Sequence, residues 1–130
     1  MLKPKIKAQT LLSTLWIFIL FNMILRDLHE FPTEGYIEEL IALKLSEKVM
    51  LFYGFMVEIP ILMVLFSRLL NDTANKWANI IAASITLLGI LSTLPAGDMD
   101  DVFFASMSSA VLLAIILVAW KLPALDRSSI

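Results

Sequence analysis

The chain has no cysteine, a single histidine and, over four long stretches, almost no charge. Without cysteine there are no disulfides and no thiolate metal sites, and nothing marks a redox compartment. One histidine cannot supply the paired imidazoles of haem ligation or a metalloprotease motif, and neither a phosphate-binding loop nor a nucleophile elbow occurs. The serines have no histidine at comparable depth to activate them. No cofactor or metal is expected, and nothing points to nucleic-acid binding.

What the chain has in excess is apolar residues. Of its 130 residues, 59% are hydrophobic, and the mean hydropathy is +0.85. Soluble domains usually hold about 45–50% apolar residues. The excess falls into four blocks, each close to the roughly 20 residues that cross a bilayer core of about 30 Å. Backbone polar groups find no water there, so each block should be helical. The expected fold class is all-α: one integral membrane domain over 1–130, a four-transmembrane-helix bundle with spans at 8–25, 49–70, 77–94 and 102–120.

Local signals support these spans. The first follows Lys3, Lys5 and Lys7, but its exit, Asn22 through Arg26 and Asp27, has no small-residue cleavage site. It reads as an uncleaved signal anchor. Ser46 can cap the second span, with Glu47 in its first turn. Asp72 or Asn75 can cap the third. Asp98, Asp100 and Asp101 precede the fourth, and Pro123 follows it. The short connections at 71–76 and 95–101 force antiparallel neighbours, so the last three spans should form an up-down-up meander. Between the first two spans, Tyr36, Ile37, Leu40, Ile41 and Leu45 recur at helical spacing opposite Glu38 and Glu39. They predict a short amphipathic helix at 34–45, lying on the membrane surface or over the bundle mouth.

Charge sets the expected orientation. Seven basic residues (Lys3, Lys5, Lys7, Arg68, Lys76, Lys121, Arg127) lie on one side and three (Arg26, Lys44, Lys48) on the other. Both termini are therefore expected in the cytoplasm and the protein in the cell inner (plasma) membrane. Nine of the twelve acidic residues fall on the opposite side. Trp16, Trp77 and Trp120 fall in the cytoplasmic half, like interfacial anchors. Small residues at four-residue spacing, Ser106, Ala110 and Ala114, and the face Asn79, Ala82, Ala83, Thr86, Gly89 and Thr93, should seal the bundle or join copies in a homo-oligomer.

The main anomaly is Glu58, near the middle of the second span. A carboxylate at that depth marks a functional site by default. Gly54, one turn earlier, would admit a close neighbour, and Pro60 frees the carbonyl of Met56. Asn22, Arg26 and His29 share a stripe of the first helix, with Glu30 four residues beyond Arg26. An Asn22–Glu58 hydrogen bond with Arg26 nearby is feasible if the first two spans pack together. His29 with Asp27 and Glu30 is a weaker candidate for a metal or acid–base site.

Three segments carry a family resemblance: LSTLWIF at 12–18, VEIPILMVLFSRLL at 57–70 and ANKWANIIA at 74–82. Together they resemble an uncharacterised family of small bacterial four-span membrane proteins, described only as a domain of unknown function. Met23 departs from the family pattern, which often has an aromatic there. The resemblance implies a four-helix membrane protein with Glu58 and Pro60 as family features. It implies no activity. The leading expectation is a binding or transport-related protein in the lipid bilayer. Its small apolar or cationic ligand, ion or proton would bind at Glu58, Asn22, Arg26 and Pro60. The alternative is a structural or accessory subunit with no ligand, in which Glu58 serves helix packing. An enzyme ranks third, since no second titratable group accompanies Glu58 at its depth.

Overall fold

The computed structural model describes residues 6–122; Lys3, Lys5, Pro123 and Arg127 lie outside the described residues. Among them the fold is all-helical. Four long helices, α1 (Ala8–Glu30), α3 (Glu47–Leu69), α4 (Asp72–Thr93) and α5 (Met99–Trp120), are long and apolar enough to cross a membrane. A short α2 (Tyr36–Ala42) links the first two.

Helix ends are set by caps rather than by the limits of apolar sequence. α1 continues five residues past the expected end of its span, through Arg26 to Glu30, because nothing there breaks the helix. Ser46 caps α3, its hydroxyl accepting from the Val49 amide at 3.3 Å. The cap of α4 is Asn71, whose Oδ1 accepts from the Ala74 amide at 2.9 Å. This corrects the expectation for Asp72, which occupies the first turn, and for Asn75, which turns inward. At α5 a capping box forms: Asp98 accepts from the Asp101 amide at 3.2 Å, and the Asp101 carboxylate accepts from the Asp98 amide at 3.4 Å. Gly35, at φ 82°, takes the left-handed turn into α2 that a side chain would resist.

The long helices form a ring in which α1 packs on α3 and α5, and α4 packs on α5 and α3. The meander expected for the last three is present. Each helix contributes a stripe at three- and four-residue spacing: Ala8, Leu12, Trp16 and Ile19 from α1, and Ala105, Ser108, Leu112, Ile115 and Ala119 from α5. From α4 the stripe is Asn75, Asn79, Ala82, Ala83 and Thr86, so the small face expected on this helix is buried as far as Thr86, while Gly89 is half-buried and Thr93 exposed. The stripe Ser106, Ala110 and Ala114 does not: Ser106 and Ala110 are exposed and Ala114 only half-buried.

The bundle is tight at the end where α1 starts and α5 stops, the terminal end, and loose at the opposite, loop end. α3 records the change. Its buried residues are Pro60, Met63 and Ser67, while from Glu47 to Glu58 every residue except Met56 is exposed. α2 buries nothing; Ile37, Leu40 and Ile41 are all exposed, which leaves its apolar side free for a membrane surface.

Candidate functional site

At the terminal end, polar side chains form a network in the fully buried core. The Trp16 indole N–H donates to Asn79 Oδ1 at 2.7 Å, and the Ser67 hydroxyl donates to the same oxygen at 3.2 Å. Asn79 Nδ2 donates to the backbone carbonyl of Asn75 at 2.9 Å and to Asn75 Oδ1 at 2.5 Å. Asn75 Nδ2 in turn donates to the Ser67 carbonyl at 2.7 Å, one of the carbonyls left open in the last turn of α3. The Ser13 hydroxyl donates to the Val64 carbonyl at 2.8 Å and accepts from Arg68 Nε at 3.2 Å, while Gln9 donates to the Leu70 carbonyl at 3.2 Å. Ser13, Trp16, Ser67, Asn75 and Asn79 are all 0% exposed. Every capacity of the Asn79 amide is used, the condition under which a buried polar network holds a fold rather than weakening it.

Trp16 is therefore a core residue tied across the bundle to α4, which corrects its reading as an interfacial anchor. The other two tryptophans keep an exposed position. Their rings meet edge-on at 6.3 Å, with the Lys76 ammonium 4.8 Å from the Trp120 ring centre and 5.5 Å from that of Trp77.

At the loop end a second polar cluster joins α1 to α5. Asn22 Nδ2 donates to Ser108 Oγ at 2.5 Å and to the Phe104 carbonyl at 3.0 Å. Arg26 places Nε at 2.7 Å and Nη2 at 2.6 Å from one oxygen of Asp101, whose other oxygen serves the α5 cap. The expected Asn22–Glu58 hydrogen bond is not made, and Arg26 is engaged by Asp101. α1 and α3 do pack together, as that expectation required, but Glu58 points away from the shared face. It is exposed, and among the described residues it has no hydrogen bond or ion pair. Gly54 is exposed as well; a Cβ there would meet nothing within 4 Å, so no helix of the same chain uses it for close approach. Pro60 is buried against the bundle.

His29 Nε2 lies 3.5 Å from Asp100 Oδ2, and carboxylate oxygens of Glu30, Asp98 and Asp100 lie within 4.8 Å of one another. The companions of His29 and Glu30 are thus Asp98 and Asp100, at the cap and in the first turn of α5, rather than Asp27. All are at least partly solvated, an arrangement common to acidic surfaces. Burial, and after it the charge of Asp27, pushes the nearby Tyr36 phenol up from its ordinary range.

Between the exposed half of α3 and the facing parts of α1 and α4 lies a cleft of about 460 Å³. Phe52, Tyr53, Met56 and Val57 line it from α3, and Met23 and Arg26 from α1. On the α4 side are Ile90, Gly89 and three hydroxyl residues, Thr86, Ser92 and Thr93. Each hydroxyl donates to a carbonyl of its own helix, at 2.7–2.8 Å. The acceptor lone pairs of these oxygens, the unused N–H groups of Arg26 and the Tyr53 phenol are the side-chain polar groups of the residues lining the cleft. Its narrow point is Gly89, where an added Cβ would stand 3.4 Å from the Met56 methyl. Nothing local in the sequence marks this cleft, because it arises from helices that converge at one end only.

Fold and composition define a small, multi-pass, four-span membrane protein. More particularly, the chain belongs to a family of unknown function, DUF6326, whose family model matches residues 2–126. The three segments that carry the resemblance, 12–18, 57–70 and 74–82, hold every side chain of the terminal-end network except Gln9. No curated protein and no solved structure matches the chain.

Proposed function

We propose that this is a membrane-embedded binding protein whose site is the cleft between α1, α3 and α4, and that its ligand is a small, mainly apolar molecule with one hydrogen-bonding end. The observation that carries the reading is the cleft itself. Its volume falls within the roughly 300–1,000 Å³ typical of small-molecule sites, and its walls are mainly apolar with a few polar groups, as such sites require. Phe52, Met56, Val57 and Met23 would take the apolar body. The Arg26 guanidinium, neutralised by Asp101, would donate to the polar end, and the Thr86 and Thr93 oxygens would accept from it. In this reading Arg26 is a ligand contact and Glu58 is not.

The test is titration of the protein in lipid nanodiscs with a dansyl-labelled fatty acid. Saturable binding is expected for the wild type and its loss in Gly89→Leu, which fills the narrow point of the cleft without touching a hydrogen bond. Equal binding by both proteins, or by empty nanodiscs, would refute the proposal. The second reading, an accessory subunit that works by assembly, draws its support from the exposed small-residue stripe of α5.

A further inference from the structure

We infer that two copies of the chain pair through the outward face of α3, so that their Glu58 carboxyl groups meet and hydrogen-bond across a two-fold axis at mid-membrane. Glu58 lies eleven residues from either end of α3, or roughly 16 Å at about 1.5 Å per residue. A glutamate side chain cannot snorkel that far to water. Its neighbours on the same face are Leu51, Phe55, Leu62 and Leu65, each 40–66% exposed. Ionisable groups within membrane spans almost always face a protein interior or an aqueous cavity, and hydrocarbon offers this one neither.

The choice of partner follows from what the chain can offer at that depth. Among the described residues the lysines and arginines, Lys7, Arg26, Lys44, Lys48, Arg68, Lys76 and Lys121, all sit near span ends or in a loop, so none of them lets a second copy bring a base to Glu58. Of the mid-span hydroxyls, those of the exposed Thr14 and Ser106 already donate to carbonyls of their own helices, and Ser84 and Ser109 are half-buried. A second Glu58 is self-complementary: a carboxyl group offers both an O–H donor and an acceptor oxygen, so two of them can hydrogen-bond to each other. A two-fold axis along the membrane normal delivers that contact with both copies in one orientation.

Two further observations fit the same face. α3 spends the least of its surface within the chain, 11% of its span being buried against 22–28% for the others. Gly54, one turn before Glu58, leaves an open notch where a second backbone can approach. This face is separate from the cleft, so each proposal can fail alone.

The natural absence of cysteine makes the test clean. Single-cysteine variants in native membranes are oxidised and resolved by gel. Leu62→Cys, one turn from Glu58, is expected to give a covalent dimer, while Leu113→Cys and Ile81→Cys, outward on α5 and α4, are not. Adding Glu58→Leu to Leu62→Cys should lower the dimer yield roughly five- to tenfold, as expected for loss of about one intramembrane hydrogen bond. Glu58→Gln, which can still pair with itself, should retain it. The inference is overturned by absence of the Leu62→Cys dimer, by a yield indifferent to Glu58→Leu, or by preferential cross-linking of Leu62→Cys to Ser106→Cys, which would mean a head-to-tail contact.

Discussion

Asn79 is the side chain on which the terminal end of the bundle turns, and Asn79→Ala is expected to be strongly destabilising. Its amide serves four hydrogen bonds, so the loss is best counted by what is left unpaired. The Asn75 backbone carbonyl lies inside α4, where the helical ladder serves it. The Ser67 hydroxyl can turn to a carbonyl of its own helix, as Thr86 and Ser106 do. Two groups have no such recourse: the Trp16 indole N–H and Asn75 Oδ1, both at fully buried residues. An orphaned buried polar group costs about 1–3 kcal/mol in water-soluble proteins, but intramembrane hydrogen bonds average nearer ~0.6 kcal/mol, since the separated helices also find partners. Weighing the two scales gives about 2–3 kcal/mol for Asn79→Ala. Trp16→Phe should cost less, about 0.6–1.7 kcal/mol, because the ring still packs and Asn79 Oδ1 keeps the Ser67 donor. In the Trp16→Phe background no indole N–H is left to orphan, so the two losses should overlap by roughly 1 kcal/mol. Equilibrium unfolding by dodecyl sulfate in mixed micelles, followed by circular dichroism, measures all four proteins. An Asn79→Ala variant within about 0.5 kcal/mol of wild type, or strict additivity in the double mutant, would refute the reasoning.

Two other outcomes are open to the same assay. Asp101→Ala removes both the Arg26 ion pair and half of the α5 capping box, and should cost roughly 1–2 kcal/mol, with most of it recovered in Asp101→Asn, which can still accept from the Asp98 amide; equal losses in the two variants would show that the box contributes nothing. Asn71→Ala should cost about 1 kcal/mol, and Ser46→Ala less, since its cap bond is longer; the reverse order would mean that cap geometry does not govern these helix starts.

The spans and their order were legible because transfer into a bilayer depends on summed apolarity over about 20 residues, which a sequence displays directly. Ser46 was legible as a cap, and the small residues of α4 as a sealing face. Azimuth was not. Between Gly54 and Phe66 α3 is apolar on every side except at Glu58, so nothing in that stretch distinguishes a carboxylate turned into the bundle from one turned out. Trp16 was misplaced for a related reason: depth along the helix suggested an interface, and only the neighbouring Asn79 reveals that the ring points inward. Asn75 read as a cap because it lies near a helix start, yet four residues before Asn79 it shares the inward stripe. Arg26–Asp101 joins residues 75 positions apart in the chain, and only the packing of α1 on α5 brings them together.

The polar network has a bearing on how the chain is made. All its members lie on α1, α3 and α4, and α5 contributes none. Once α4 has left the ribosome, every buried amide and indole at the terminal end has its partner, whether or not the last span has been synthesised. α5 then docks as an apolar closing strip through Leu112, Ile115 and Ala119. The three-helix intermediate thus holds no orphaned network donors while it waits in the bilayer, and α5 is the span whose delayed arrival costs the nascent protein least.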